Sequence, residues 1–236
     1  RSMALGADYI ATGHYARKKA SLIGIAKDSW KDQSFMLYRL SEKQREKLLL
    51  PLGEMMKDEV KDFVREKGYG QIANKRESFG LCFTNGKHYS EFLLEKYPEL
   101  KKLENGKVFN KNNQVIGTHK GYPFYTIGQY KGLNCKGKQY INKIIAEENA
   151  IFVGEKSECY FSTLRLNSLV FSQNIENIKK DTPYLTKIRG KDEGSFATLR
   201  EISPNHSIIE FSQRVFAPMQ GQDVVVYDEN NFILFG

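Results

Sequence analysis

The chain has 236 residues and a formal charge of +8, with 40% hydrophobic and 12% aromatic residues. This length exceeds one typical domain, so we expect two or three domains with packed cores. No apolar run approaches the roughly 20 residues that span a bilayer, and the start does not resemble a secretory signal. The sequence therefore predicts a soluble, cytoplasmic protein with no membrane partner, and its basic charge favours a polyanionic partner such as nucleic acid.

The metal-binding residue types are few and scattered. The chain has three cysteines and four histidines, and none of them are closely spaced. An odd number of separated cysteines argues against a disulfide framework, and the spacing matches no zinc motif. We therefore expect no structural metal site.

The first third of the chain is predicted to be mostly helical after one short strand. Residues 9–15 predict a buried strand that ends in a turn at Gly13. A strand this short needs partner strands, so we expect its neighbours to lie upstream of Arg1. Apolar residues at helical spacing then predict a helix over residues 31–40.

Two further helices are predicted from their end signals. The capping-box pattern of residues 41–44 predicts a helix that continues to Leu50. Residues 57–67 have apolar side chains at helical spacing and are followed by Gly68, a natural stop.

The pattern changes at residue 107. From there to residue 137, glycines alternate with β-branched and aromatic residues, which is typical of strands and turns. Further on, short apolar segments at regular spacing predict a small closed barrel or sandwich, and residues 228–231 predict a hairpin turn. The predicted segments are residues 151–154, 186–189, 207–211, 224–227 and 232–235.

Cys82 is the strongest candidate for chemistry. It follows Gly80 by two residues and lies after the basic pair Lys75 and Arg76. Nearby cations lower the pKa of a thiol, and a glycine lets a substrate approach the backbone. Local features alone leave an alternative open, in which Cys82 is a buried and inert core residue.

Four runs, taken together in their order and spacing, resemble the tRNA-specific 2-thiouridylases. They are residues 11–17, 31–34, 78–83 and 125–133. The resemblance spans nearly the whole chain and is weaker after about residue 155. This family makes 2-thiouridine at the wobble position of certain tRNAs, using ATP to activate the uracil oxygen and a cysteine persulfide to deliver sulfur.

The resemblance implies an α+β multi-domain fold. Residues 1–86 would be the C-terminal part of an α/β ATP-pyrophosphatase domain, residues 87–152 a small β-rich central tRNA-binding domain, and residues 153–236 a C-terminal β-barrel. The family's phosphate-binding loop and first catalytic cysteine would precede Arg1. We therefore expect the chain by itself to be inactive.

Residue by residue, the resemblance implies that Cys82 is the catalytic cysteine that accepts the persulfide and that Gly13 lines the ATP site. It implies tRNA contacts at His14, Lys31, Asp32, Gln33, Arg189 and Gln222. Two positions depart from the family pattern. Tyr130 stands where the family usually has arginine, and Gly190 replaces an aromatic residue that would offer a stacking surface for a base.

The implied reaction uses ATP, with Mg²⁺, and a protein that donates persulfide sulfur. The target uridine would be extruded into the site, adenylated at O2 and attacked by the persulfide on Cys82, leaving a transient disulfide with the upstream cysteine. A non-catalytic basic RNA-binding module with a buried Cys82 is the alternative. Another ATP-pyrophosphatase, such as an amide-forming synthetase, is less favoured because it has no use for a persulfide cysteine.

Overall fold

The computed structural model describes residues 3–75, 88–135 and 137–236. The chain divides into two compact units, each described below by itself. The first unit contains Arg1–Lys75, Ser162–Arg214 and Gly221–Gly236, and the second contains Arg76–Phe161 and Val215–Gln220. None of the helices within the described ranges is long and apolar enough to cross a membrane.

The elements of the first 75 residues are short. They are β1 (Ile10–Ala11), β2 (Arg17–Lys19), β3 (Leu22–Gly24), α1 (Glu42–Glu46), β4 (Leu48–Leu49), α2 (Lys57–Glu66) and α3 (Gly70–Ala73), with 3-10 turns at Met3–Leu5 and Ser34–Leu37. β1 pairs with β4 in parallel, and β2 pairs with β3 antiparallel.

The strand predicted near Gly13 is confirmed as β1, but the prediction that it is buried is wrong. Both of its residues are exposed. In the part of the chain that the structure describes, β4 is the one strand that pairs with β1. A two-stranded ribbon this short leaves most of its surface in water.

The helix predicted over residues 31–40 is wrong, because only Ser34–Leu37 forms a 3-10 turn. The Asp32 side chain accepts hydrogen bonds from the backbone N–H groups of Ala26 and Ser34. Side chains of this type compete with helical backbone pairing. The helical spacing of the apolar residues does not reveal this competition.

The two helices predicted from end signals are confirmed in position. Ser41 and Gln44 form the reciprocal capping box of α1, and Gly68 follows α2 with a φ of 84°. α1 ends at Glu46 rather than at Leu50, because Leu48–Leu49 is taken up as β4. A long-range strand pairing therefore shortens the helix.

The C-terminal part of the chain forms a six-stranded sheet with the order β10-β13-β12-β11-β14-β15. These strands are β10 (Tyr160–Asn167), β11 (Pro183–Lys187), β12 (Ser195–Ile202), β13 (His206–Phe216), β14 (Val225–Tyr227) and β15 (Ile233–Phe235). The hairpin turn between β14 and β15 is confirmed, since Asp228 N donates to Phe232 O at 2.7 Å. A closed barrel stays a prediction.

A hydrophobic core in the first unit draws on both ends of the chain. The backbone N–H of Ile25, after β3, donates to Asn231 O at 2.9 Å in the turn before β15. The N-terminal segment and the last strands are therefore packed as one body. The buried core residues are Ala16, Ile23, Leu37, Tyr38, Leu48, Val225, Tyr227 and Ile233.

The second unit contains a five-stranded sheet with the order β7-β6-β5-β9-β8, as the strand-and-turn pattern predicts. Its strands are β5 (Gly106–Phe109), β6 (Val115–His119), β7 (Asn134–Cys135), β8 (Tyr140–Ile145) and β9 (Ala150–Gly154), and α4 (Tyr89–Lys96) precedes them. Short 3-10 turns lie at Pro98–Leu103, Tyr122–Phe124 and Lys156–Cys159. Buried Val108, Tyr125, Ile141, Ile151 and Val153 form its core.

Candidate nucleic-acid interface

Gly13 and His14 follow the carboxyl end of β1. Thr12 N donates to Leu49 O at 3.1 Å, which extends the parallel pairing by one residue. Gly13 is exposed, and a Cβ built at this position meets only Leu52 Cδ1, at 3.8 Å. Open α/β sheets bind ligands at the carboxyl ends of their parallel strands. The bare backbone of Gly13 therefore suits the close approach of a nucleotide.

Gln33 joins the second predicted segment to the first. Its Oε1 accepts a hydrogen bond from Tyr15 N at 3.0 Å, and its own N–H donates to Tyr15 O at 2.7 Å. His14 immediately precedes Tyr15, and its Nδ1 lies 2.9 Å from Thr12 Oγ1. The structure thus brings His14 and Gln33 next to each other in the first unit.

Asp32 faces inward. Only 1% of its side chain is exposed. Oδ1 accepts from Ala26 N at 3.0 Å and from Ser34 N at 3.1 Å, while Oδ2 accepts from Ser34 Oγ at 3.0 Å and from Lys187 Nζ at 2.8 Å. With four donors already directed at it, this carboxylate is suited to holding the segment in place.

Lys187 brings Arg189 to the same region. Lys187 is the last residue of β11, and its side chain is 5% exposed in the ion pair with Asp32. Arg189 follows two residues later and is half-buried. A Cβ at Gly190 would lie 3.5 Å from Phe35 Cδ1, so this segment runs beside the 3-10 turn after Gln33.

Tyr227 lies on the buried side of a cluster that consists of Asp32 and its hydrogen-bond partners Ala26, Ser34 and Lys187. Its hydroxyl lies 3.0 Å from Ser34 Oγ, and Lys187 Nζ lies 5.7 Å from the centre of its ring. Burial raises the pKa of Tyr227 well above its usual value, and the nearby carboxylate of Asp32 adds to the rise. The phenol therefore stays protonated and serves as a hydrogen-bonding partner of Ser34.

The remaining predicted contact, Gln222, has a different anchor. It is exposed and precedes Asp223, whose carboxylate accepts hydrogen bonds from Tyr38 Oη at 2.8 Å and from Arg39 Nη2 at 2.7 Å. These contacts fix Gln222 close to residues 38 and 39. The chain connects Gln222 to the Asp32 cluster through β14, because this strand follows Gln222 and ends at Tyr227.

Cys82 lies outside the described residues, so its environment stays a prediction. The two cysteines that the structure describes are both free thiols. Burial raises the pKa of the Cys135 thiol and of the Cys159 thiol, and Cys159 is fully buried. Since the thiolate is the reactive form, neither environment is that of an activated nucleophile.

Sequence reasoning missed Lys187. Its partner Asp32 lies 155 positions away, and no local pattern reports such a pairing. The available signal was a lysine between two residues of high strand propensity, Thr186 and Ile188. Buried lysines are rare unless they are paired.

Comparisons with known proteins identify the family. Residues 1–86 match the family described as tRNA methyl transferase HUP domain, and residues 90–155 match the tRNA methyl transferase PRC-barrel domain. The tRNA-specific 2-thiouridylase MnmA of Halothermothrix orenii is 35% identical over 97% of this chain and 64% of that protein. This chain belongs to the tRNA-specific 2-thiouridylase family.

Two further 2-thiouridylases have slightly lower identities to this chain. The MnmA protein of Cytophaga hutchinsonii is 31% identical over 99% of this chain and 65% of its own length. The MnmA protein of Natranaerobius thermophilus is 34% identical over 98% of this chain and 64% of its own length. The chain thus spans a little less than two thirds of these 2-thiouridylases, and its α+β multi-domain fold agrees with the two matched domains.

Proposed function

We propose that this protein takes part in the ATP-dependent 2-thiolation of the wobble uridine of tRNA, with Cys82 as the residue that carries the sulfur. Similarity to 2-thiouridylases along almost the whole chain supports the proposal. The observation that carries it is the convergence of the assigned segments. Gln33 is hydrogen-bonded to Tyr15, the residue after His14. Lys187 is paired with Asp32, and Arg189 lies two residues after Lys187.

In this proposal, tRNA is held by an outer layer of side chains and an inner layer of positioning groups. His14, Lys31, Gln33 and Arg189 would contact the RNA, with Gln222 at a second point. Asp32 would act through its neighbours, because its side chain is 1% exposed and bonded to four internal donors. Its contribution would be to fix the backbone between Lys31 and Gln33.

ATP would bind where Gly13 follows the carboxyl end of β1. The exposed glycine backbone at the end of a parallel strand pair supports this placement. We propose that Mg²⁺ accompanies the phosphates of ATP, as is usual for bound nucleotides. ATP here is a substrate that activates the uracil oxygen.

The proposed chemistry proceeds in three displacements. The uracil O2 attacks the α-phosphate of ATP and releases pyrophosphate, which converts the oxygen into a good leaving group. The terminal sulfur of the Cys82 persulfide then attacks C2, and AMP departs. A second cysteine attacks the Cys82 sulfur, breaking the persulfide bond and leaving a disulfide that a cellular thiol reduces.

The sulfur on Cys82 must come from outside the protein. We propose a carrier protein that passes the persulfide sulfur to Cys82 by thiol exchange. This chemistry requires reduced thiols before each turnover. A reducing cytoplasm is therefore the proposed location.

Replacing Cys82 by serine in the chromosomal gene tests this function. We expect the 2-thiouridine content of bulk tRNA, measured by mass spectrometry of nucleosides, to fall to the level of a gene deletion. Cys135→Ser is the matched control, because that thiol is half-buried and has a raised pKa. It should leave the content unchanged.

The same experiment separates the two remaining interpretations. Cys82 could instead be a buried residue in a non-catalytic RNA-binding module. In that case, cells with Cys82→Ser will keep the full 2-thiouridine content, or the variant protein will be present in a lower amount. Immunoblotting of both variants detects the second case. Wild-type thiolation with a normal amount of the Cys82→Ser protein would refute the proposal.

A further inference from the structure

Trp30 is the only tryptophan of the chain, and it is 89% exposed. It has the highest exposure among the large hydrophobic side chains in the part of the chain that the structure describes. Tryptophan is highly buried on average, because its indole is the largest apolar side chain. The high exposure of this single indole therefore needs a physical explanation.

The turn that carries Trp30 is fixed at its first end. Asp28 is 6% exposed, and its Oδ2 accepts the backbone N–H of Lys57, the first residue of α2, at 2.9 Å. The backbone closes over the turn, since Lys31 N donates to Asp28 O at 3.1 Å and Asp32 N to Ser29 O at 3.4 Å. A carboxylate at a helix N-terminus is favourably placed.

The turn is fixed at its second end by the Asp32 cluster. Asp32 accepts four hydrogen bonds, including the one from Lys187. Trp30 thus lies midway between two buried carboxylates that are both held by internal donors. A ring presented by a preorganised turn loses little conformational freedom when a ligand covers it.

The charge around the turn favours an anionic ligand. Lys31 directly follows Trp30, whereas Lys27 lies three residues before it and pairs with Glu59 at 3.2 Å. Arg17, Lys18 and Lys19 of β2 add further basic residues to the first unit. The acidic residues of the turn, Asp28 and Asp32, direct their side chains inward. The outer face of this segment is therefore cationic and aromatic.

We infer that Trp30 is a platform on which an unpaired base of the bound RNA stacks, while the adjacent Lys31 neutralises a neighbouring phosphate. Exposed aromatic rings next to cations are the usual means by which proteins hold unpaired bases. The inference rests on the proposed function and adds to it a position that selects single-stranded over paired RNA. A protein partner is the competing occupant, and the test below distinguishes it.

The single tryptophan makes the test direct. The 236-residue chain is titrated with an unmodified tRNA transcript while tryptophan fluorescence and its quenching by acrylamide are recorded. We expect the tRNA to change the emission and to shield the ring from acrylamide. A fully paired RNA duplex of similar length should bind through charge without shielding the ring.

Variants supply the second readout, the dissociation constant for tRNA from filter binding. Trp30→Ala should weaken binding about tenfold, which lies within the range that stacking of one base on an aromatic ring contributes. Trp30→Phe keeps a ring and should lose much less. Met36→Ala removes another exposed apolar side chain, 60% exposed, and should leave the constant unchanged.

The outcomes separate this inference from the proposed function. If tRNA binds tightly, but its binding neither shields Trp30 nor weakens in Trp30→Ala, the platform is refuted while the proposed function stands. Shielding of the ring only by a cellular protein, with tRNA affinity unaffected, also refutes it. If the wild-type chain binds no tRNA at all, both proposals fail.

Discussion

Asp32 and Lys187 form an ion pair that is almost excluded from water, with side chains 1% and 5% exposed. Removing two charged groups from water costs several kcal/mol for each ion, and their attraction offsets this only with good geometry and extra hydrogen bonds. The three further donors to Asp32, from Ala26 and Ser34, supply those bonds. The pair therefore positions the Lys31–Gln33 segment at little net cost.

Asp32→Asn should be strongly destabilising, because it leaves the Lys187 ammonium buried without its counter-charge. We expect the free energy of unfolding in urea to fall by about 3–5 kcal/mol. Arg65→Ala is the control, since it breaks the exposed Arg65–Asp62 pair, and it should cost about 1 kcal/mol or less. Equal losses in the two variants would show that Asp32 is not held as described.

Part of the residue-level picture was accessible from sequence. The segments containing Gly13, His14 and Gln33 were predicted as candidates, and their proximity follows from the Tyr15–Gln33 bonds. The inward orientation of Asp32 was not accessible. It depends on Lys187, a residue so distant in sequence that only the assembled fold brings the two together.

Among the elements, the turn of residues 125–133 in the second unit is fixed by two glycines with the same backbone conformation. Gly128 and Gly132 both have a φ of 82°. A Cβ on Gly128 would lie 2.6 Å from Ala217 Cβ and 2.8 Å from Phe216 Cζ, whereas the nearest atom to a Cβ on Gly132 is 3.7 Å away. Both positions disfavour a side chain, but only Gly128 has no space for one.

Gly128→Ala should therefore destabilise the protein more than Gly132→Ala. We expect Gly132→Ala to cost about 1 kcal/mol for its left-handed backbone, and Gly128→Ala about 2–4 kcal/mol because overpacking adds to the same strain. Urea unfolding of the two variants measures the difference. A cost at Gly132 equal to or above that at Gly128 would contradict the packing described here.

End signals and periodicity predicted those elements whose determinants are local. The capping box of α1, the stop at Gly68 and the β14–β15 turn all agree with expectation. Where prediction failed, long-range contacts decided the outcome. Pairing of β4 with β1 ended α1 early, and the side-chain bonds of Asp32 replaced a helix with a 3-10 turn.

At the scale of the whole molecule, the charge of +8 favours a polyanionic partner, as the proposed tRNA binding requires. The sharing of one core by the first 75 residues and the last strands was not predictable. Ser34 and Tyr227, which meet in it, are 193 positions apart. Domain boundaries at residues 86 and 152 remain a prediction, since they depend on such contacts.

Transfer of labelled sulfur from Cys82 to tRNA tests the chemical step of the proposed function. The protein purified from its own organism is loaded with radiolabelled persulfide sulfur, freed of excess donor and mixed with unthiolated tRNA, with and without ATP. We expect the label to reside first on the Cys82 peptide and to move to the wobble uridine only when ATP is present. Label that reaches tRNA equally well in Cys82→Ser, or that never leaves Cys82 in the presence of ATP and tRNA, would contradict it.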